Sequence, residues 1–178
     1  MKNFFFRTVS VFAIAFFQVY FFASFPFGGQ AVGFGLMAAV AWTVVSGFEK
    51  IWVYILGLGI LIDLLSFERV GENVIIFIIA IYFVSFISKR ILLQSVGGSF
   101  LLIIFIIIAI TFFSNFLSFV FSFFQGEVSN FFDGGILFFA KGVFWESFWN
   151  IPSFYFLYWL INRMEKNISF YEKSVKIR

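Results

Sequence analysis

The chain has no cysteine and no histidine among its 178 residues. These absences exclude disulfide bonds, thiol chemistry, zinc sites built from Cys and His, and the most common general base. Charged residues are also scarce at 12%, against the roughly 25% that is typical of soluble domains. No phosphate-binding glycine loop, nucleophile elbow or paired catalytic carboxylates can be found in the sequence. We therefore expect no catalytic residues, no metal site and no cofactor.

Apolar surface is what the chain has in excess. Hydrophobic residues make up 62% of it, the mean hydropathy is +1.05, and 34 residues are Phe. A soluble domain of this size could not hide so many large side chains, so we expect many of them to face lipid. Spans of about 20 residues would use nearly the whole length. The composition predicts an all-α membrane protein with one helical bundle.

A spanning-helix pattern fits six segments of the chain. Short breaks containing Gly, Pro or charged residues separate them. We predict a transmembrane domain over residues 1–162, with spans at about 9–26, 30–47, 51–67, 74–88, 96–124 and 136–161. Residues 163–178 form a basic tail. This tail is either an amphipathic extension lying on the inner leaflet or a solvated stop-transfer segment.

The distribution of positive charge predicts the orientation of these spans. Ten of the twelve Lys and Arg residues fall on the side that holds both termini, whereas Arg69 falls on the other side and Lys141 lies within the last span. The positive-inside rule then places both termini in the cytoplasm. Because the basic residues cluster at span ends, the net charge of +3 predicts no nucleic-acid partner. The N-terminal segment resembles a signal peptide but lacks a clear cleavage site, so we expect a retained first helix.

Two opposite charges lie inside the predicted spans at similar depth. Asp63 is about four residues below the end of the third span, and Lys141 is about five residues inside the sixth. An Asp63–Lys141 ion pair would avoid burying two separate charges, and it is our leading explanation for the acid. The alternative is that Lys141 reaches the headgroups while Asp63 stays partly hydrated, without contact between them.

A second polar group lies deeper in the sixth span. Glu146 and Asn150 are four residues apart and share a helix face, and Pro152 can kink the helix beside them. Gln18 on the first span and Asn115 on the fifth are the other strongly polar side chains inside the membrane. This polar seam could bind a ligand or relay protons, but we expect it mainly to fix contacts between helices.

The third span and the loop after it resemble the family of rod shape-determining proteins called MreD. Gly59, three apolar residues, Asp63, and then Gly71 before the next apolar span follow the family's pattern, and Asn150 falls where the family often has an Asn. Small residues such as Gly57 and Gly59 also let helix backbones approach closely. The resemblance covers about a third of the chain in motif and the whole chain in its six-span topology.

Membership of this family would imply a non-catalytic scaffold in the bacterial inner membrane, within the complex that builds peptidoglycan during cell elongation. The partners it implies are membrane lipid, the MreC protein, the MreB filament and the peptidoglycan synthases. The family's fold is similar to that of the substrate-binding S components of energy-coupling-factor vitamin transporters, so an S component is the alternative. Such a component needs a cluster of hydrogen-bonding groups in its outer half, whereas a scaffold needs only helix faces.

Overall fold

The computed structural model describes residues 2–22, 33–66, 71–91, 99–124 and 135–176. Within these ranges the chain is entirely helical and contains no strand. The six helices are α1 (Lys2–Phe16, continued by a π-helical segment, Phe17–Phe22), α2 (Phe34–Ser46), α3 (Phe48–Ser66), α4 (Glu72–Ile91), α5 (Ser99–Phe124) and α6 (Gly135–Lys176).

The prediction of an all-α fold is confirmed, and each helix overlaps one of the six predicted segments. The predicted boundaries at residues 26, 30, 67 and 96 lie outside the described residues. At the C-terminal side the helix is longer than expected. α6 has 42 residues, continues through Pro152 without a break, and includes most of the predicted tail. α6 is therefore about 63 Å long, and it packs mainly against α2 and α5.

α2 forms the centre of the bundle. All ten residues from Phe34 to Thr43 are buried, and the helix packs against α1, α3, α4 and α6. Its small residues Ala38, Ala39 and Ala41 are completely buried, which lets these neighbours approach its backbone. With 13 residues, α2 is only about 20 Å long. This length is less than the roughly 30 Å thickness of a bilayer's hydrocarbon core.

α3 and α4 pack closely at Gly59. A Cβ atom added to Gly59 would lie 2.9 Å from the Cα atom of Val74, so the two helices could not pack at their present separation. A Cβ atom on Gly57, half a turn away, would meet nothing within 4 Å. The expected role in close packing therefore applies to Gly59 but not to Gly57.

Large apolar side chains cover the outside of the bundle. Phe12 of α1, Phe105 of α5 and Phe144 of α6 are 57%, 70% and 70% exposed. Two stretches in the described part of the chain are long and apolar enough to cross a membrane, Phe4–Phe21 and Ile103–Phe121. The helical stretches Phe34–Ser46 and Glu72–Ile87 are apolar but shorter.

Candidate functional site

The Asp63 side chain caps the N-terminus of α4. Its side chain is 1% exposed, and it accepts hydrogen bonds from the backbone N–H of Gly71 (2.7 Å to Oδ2) and from the backbone N–H of Asn73 (3.2 Å to Oδ1). The Asn73 side-chain amide donates a third bond, 2.8 Å long, to Oδ1. The first N–H groups of a helix have no partner within that helix, so a carboxylate placed here satisfies them. Gly71 has φ +97°, a conformation that favours glycine.

The expected ion pair between Asp63 and Lys141 is not formed. The Lys141 side chain is exposed, and both Asp63 oxygens accept from residues eight and ten positions further along the chain. An ion pair that the structure does contain joins Arg7 to Glu165. The prediction was wrong because it gave the acid a charged partner, whereas backbone N–H groups at a helix start already satisfy it.

The beginning of α2 is held in the same way by two other helices. The N–H of Gly33 donates to Asn150 Oδ1 of α6 (3.0 Å), and the N–H of Gly35 donates to Gln18 Oε1 in the π-helical segment (2.9 Å). α2 has no side-chain cap of its own, since Gly33 occupies the capping position. Side chains from α1 and α6 therefore replace the local cap.

Glu146, Asn150, Asn115 and Thr111 form one hydrogen-bonded network between α5 and α6. Asn115 Nδ2 donates to Glu146 Oε2 (2.6 Å) and to the backbone oxygen of Thr111 (2.9 Å). Asn150 Nδ2 donates to Thr111 Oγ1 (3.0 Å) and to Glu146 Oε1 (3.4 Å). The structure thus brings together three of the residues singled out in the sequence, and it joins them to the start of α2 through Asn150.

A cavity of about 370 Å³ lies beside this network. It is a half-open cavity, lined by the π-helical segment, the starts of α2 and α4, the end of α3, and the facing sides of α5 and α6. Its polar lining consists of Gln18, Ser66, Asn73, Ser114, Asn115, Ser118 and Glu146. Its apolar lining includes Leu36, Ile62 and Phe77. We call this region the cavity end of the bundle.

Sequence reasoning missed most of the polar lining on α5. Thr111, Ser114, Asn115 and Ser118 follow the spacing i, i+3, i+4 and i+7, which puts them on one helix face. This stripe was visible in the sequence as the polar face of an otherwise apolar helix. Asn73, in the first turn of α4, was also missed, since its role depends on the position of Asp63 on another helix.

An ion pair ties α1 to α6 at the opposite end of the bundle. Arg7 donates to both Glu165 oxygens, at 2.8 and 3.1 Å, and Trp42 Nε1 donates to Glu165 Oε1 at 2.9 Å. The Arg7 guanidinium also lies over the Tyr54 ring, 5.7 Å from its centre. Burial alone would raise the pKa of Glu165, but hydrogen bonds from Arg7 and Trp42 outweigh it and hold that pKa below its usual value of 4.5.

The described residues contain no group of three or more acidic side chains that could hold a metal ion. Comparison of the chain with protein-family models, with curated proteins and with solved structures finds no match in any of the three. The prediction of an MreD-type protein therefore stays a prediction from the chain's own residues, above all Gly59, Asp63, Gly71 and Asn150.

Proposed function

We propose that the chain is a multi-pass protein of the bacterial inner membrane, with six spans and both termini in the cytoplasm. Two helices long and apolar enough to span a membrane support this, as do the outward-facing Phe side chains of α1, α5 and α6. Four of the other helices pack around α2, so a short central span is compatible with a bilayer. The excess of Lys and Arg on the side of the termini supports the orientation.

Within that membrane, we propose that the protein is a non-catalytic scaffold of the cell-elongation machinery, of the MreD type. The observation that carries this proposal is how buried and half-buried polar side chains are used. Asp63, Gln18 and Asn150 each accept hydrogen bonds at the start of a neighbouring helix. Such groups stabilise one arrangement of the helices, and the outer faces remain apolar and available to other membrane proteins. The proposed partners are MreC, the MreB filament and the peptidoglycan synthases.

The test is affinity purification of the tagged full chain from mildly solubilised native membranes, followed by mass spectrometry of proteins and small molecules. An unrelated tagged multi-pass protein from the same membranes is the control. We expect enrichment of MreC and peptidoglycan synthases relative to that control. Enrichment of an ATPase module, with no elongation protein present, would contradict the scaffold.

The substrate-binding S component of an energy-coupling-factor transporter is the second candidate, and the cavity favours it. A volume of about 370 Å³ lies within the range of small-molecule sites, roughly 300–1,000 Å³. The polar groups around it form the cluster that such a component needs. In the same purification, an S component would co-purify with an ATPase module and a tightly bound metabolite. Recovery of elongation proteins without such a metabolite would count against it.

A further inference from the structure

The cavity contains a carboxylate whose charge no described residue balances. Glu146 is the one charged residue among the described residues that line it. Its hydrogen bonds come from the neutral amides of Asn115 and Asn150, and no Lys or Arg in the described ranges forms an ion pair with it. An ionised carboxylate removed from water is stable when a positive charge lies beside it. A cationic ligand in the cavity would supply that charge.

The polar atoms left unused around the cavity include carbonyl oxygens of two side-chain amides, besides the N–H groups of the Gln18 amide, whose oxygen accepts from Gly35. Both N–H groups of the Asn115 amide already donate, one to Glu146 and one to Thr111, so its carbonyl oxygen remains for a ligand. The Asn73 amide donates to Asp63, and its carbonyl oxygen has no protein partner in the described part of the chain. A ligand that fits these oxygens must carry hydrogen-bond donors, and beside the Glu146 carboxylate a positively charged N–H donor binds more strongly than a neutral one.

From this charge and these acceptors, we infer that the cavity binds a small polar molecule with a primary ammonium group, which donates to Glu146 and to the carbonyl oxygens of Asn73 and Asn115. The cavity volume equals that of about a dozen water molecules, enough for the ammonium group and a short polar body. Leu36, Ile62 and Phe77 would contact its carbon atoms. This inference does not depend on the scaffold role.

Two sources could supply a primary ammonium: a soluble amine or the headgroup of an ethanolamine phospholipid. The full chain is therefore purified, freed of lipid, and reconstituted in phosphatidylcholine nanodiscs. Two amines, ethanolamine and glucosamine, are added separately, with ethylene glycol and glucose as matched compounds without the ammonium group. A parallel sample contains phosphatidylethanolamine nanodiscs. The apparent melting temperature is recorded for each.

We expect a saturable rise in melting temperature with at least one amine and none with its matched alcohol, if the source is soluble. If the source is the lipid, the rise appears in phosphatidylethanolamine relative to phosphatidylcholine nanodiscs. In either case Glu146→Gln should weaken binding by at least about tenfold, since it removes a charge-assisted hydrogen bond. Ser147→Ala, next to Glu146 but outside the cavity lining, should bind as the wild type does.

Three results would overturn the inference: no rise from any amine source, equal rises from amines and their alcohols, or unchanged binding by Glu146→Gln. If Glu146→Gln does not fold, Ser118→Phe replaces it. That change fills the cavity from α5 and leaves Glu146 in place, so binding should be lost. If a folded Ser118→Phe protein still binds the amine, the ligand does not bind in this cavity and the inference is wrong.

Discussion

At the scale of single residues, Asp63 gives a direct test of what buried polar groups do in this bundle. Asp63→Ala would leave the backbone N–H groups of Gly71 and Asn73 without acceptors. We expect a loss of about 2 kcal/mol in the free energy of unfolding, as for loss of a helix cap with buried donors. Lys141→Ala, at an exposed position, should change it by less than about 0.5 kcal/mol.

The measurement for Asp63 is reversible unfolding in detergent micelles, together with the charge-exchanged pair Asp63→Lys and Lys141→Asp. The double variant should be as unstable as Asp63→Lys alone, since no ion pair joins the two positions. Recovery of wild-type stability in the double variant would instead show that the two side chains interact.

Gly57 and Gly59 form a matched pair in one helix. Gly59→Ala places a Cβ atom 2.9 Å from the Cα atom of Val74, so α3 and α4 must separate, at a cost of about 1–3 kcal/mol. Gly57→Ala meets no atom and gains helix propensity, worth up to about 1 kcal/mol. The two variants should therefore shift the melting temperature in opposite directions. Equal shifts would mean that the close approach at Val74 does not limit packing.

At the scale of helices, the start of α2 depends on α6. Asn150→Ala removes the acceptor for the Gly33 N–H and the donor to Thr111 and Glu146. We expect a loss of about 2–3 kcal/mol in unfolding free energy. The double variant with Thr111→Val should lose less unfolding free energy than the sum of the two single variants. Both changes break the same hydrogen bond, from Asn150 to Thr111.

The control for Asn150 is Ser153→Ala, one turn along α6, which removes a hydrogen bond to the backbone oxygen of Trp149 in the same helix. It should have little effect on stability. Full additivity of Asn150→Ala and Thr111→Val would mean that the hydrogen bond between them contributes nothing.

The ion pair between α1 and α6 predicts a pH dependence. The pKa of Glu165 is lower in the folded protein than its usual value of 4.5, so its stabilisation is complete above pH 4.5. It decreases as the pH falls through the lowered folded-state pKa. Glu165→Gln should reduce this acid-induced loss of stability, measured as melting temperature from pH 7 to pH 3. An unchanged acid profile in the variant would show that another carboxylate is responsible.

The sequence predicted the helices well but predicted their contacts less well. Apolar segments and charged breaks located all six helices, because that information is local to each segment. The contact between Glu146 and Asn150 on α6 followed from their i, i+4 spacing. Arg7 and Glu165 could not be paired from spacing, since 158 residues separate them. Asp63 was misjudged because its partners, Gly71 and Asn73, lie at the start of the next helix and no spacing rule within one helix points to them.

At the scale of the whole molecule, the proposed topology gives a prediction about the two sides of the membrane. Reporter domains fused after the C-terminus should be active in the cytoplasm, and reporters inserted between α5 and α6 should be active outside. Both follow from six spans and from the excess of Lys and Arg on the side of the termini. A reporter pattern in which the two fusions lie on the same side would contradict six spans.

Asn150 of α6 accepts a hydrogen bond from the start of α2, and this contact has a consequence for the order of events during synthesis. Gly33 and Asn150 are separated by 117 residues, so a ribosome adding 5–20 residues per second makes the acceptor roughly 6–23 seconds after the donor. During that interval α2 is short and its first amide groups have no partner from α6. Chains arrested before α6 emerges should therefore hold α2 loosely and be sensitive to membrane proteases. In the proposed membrane topology, the insertion machinery would have to protect the central helix until the last helix is made.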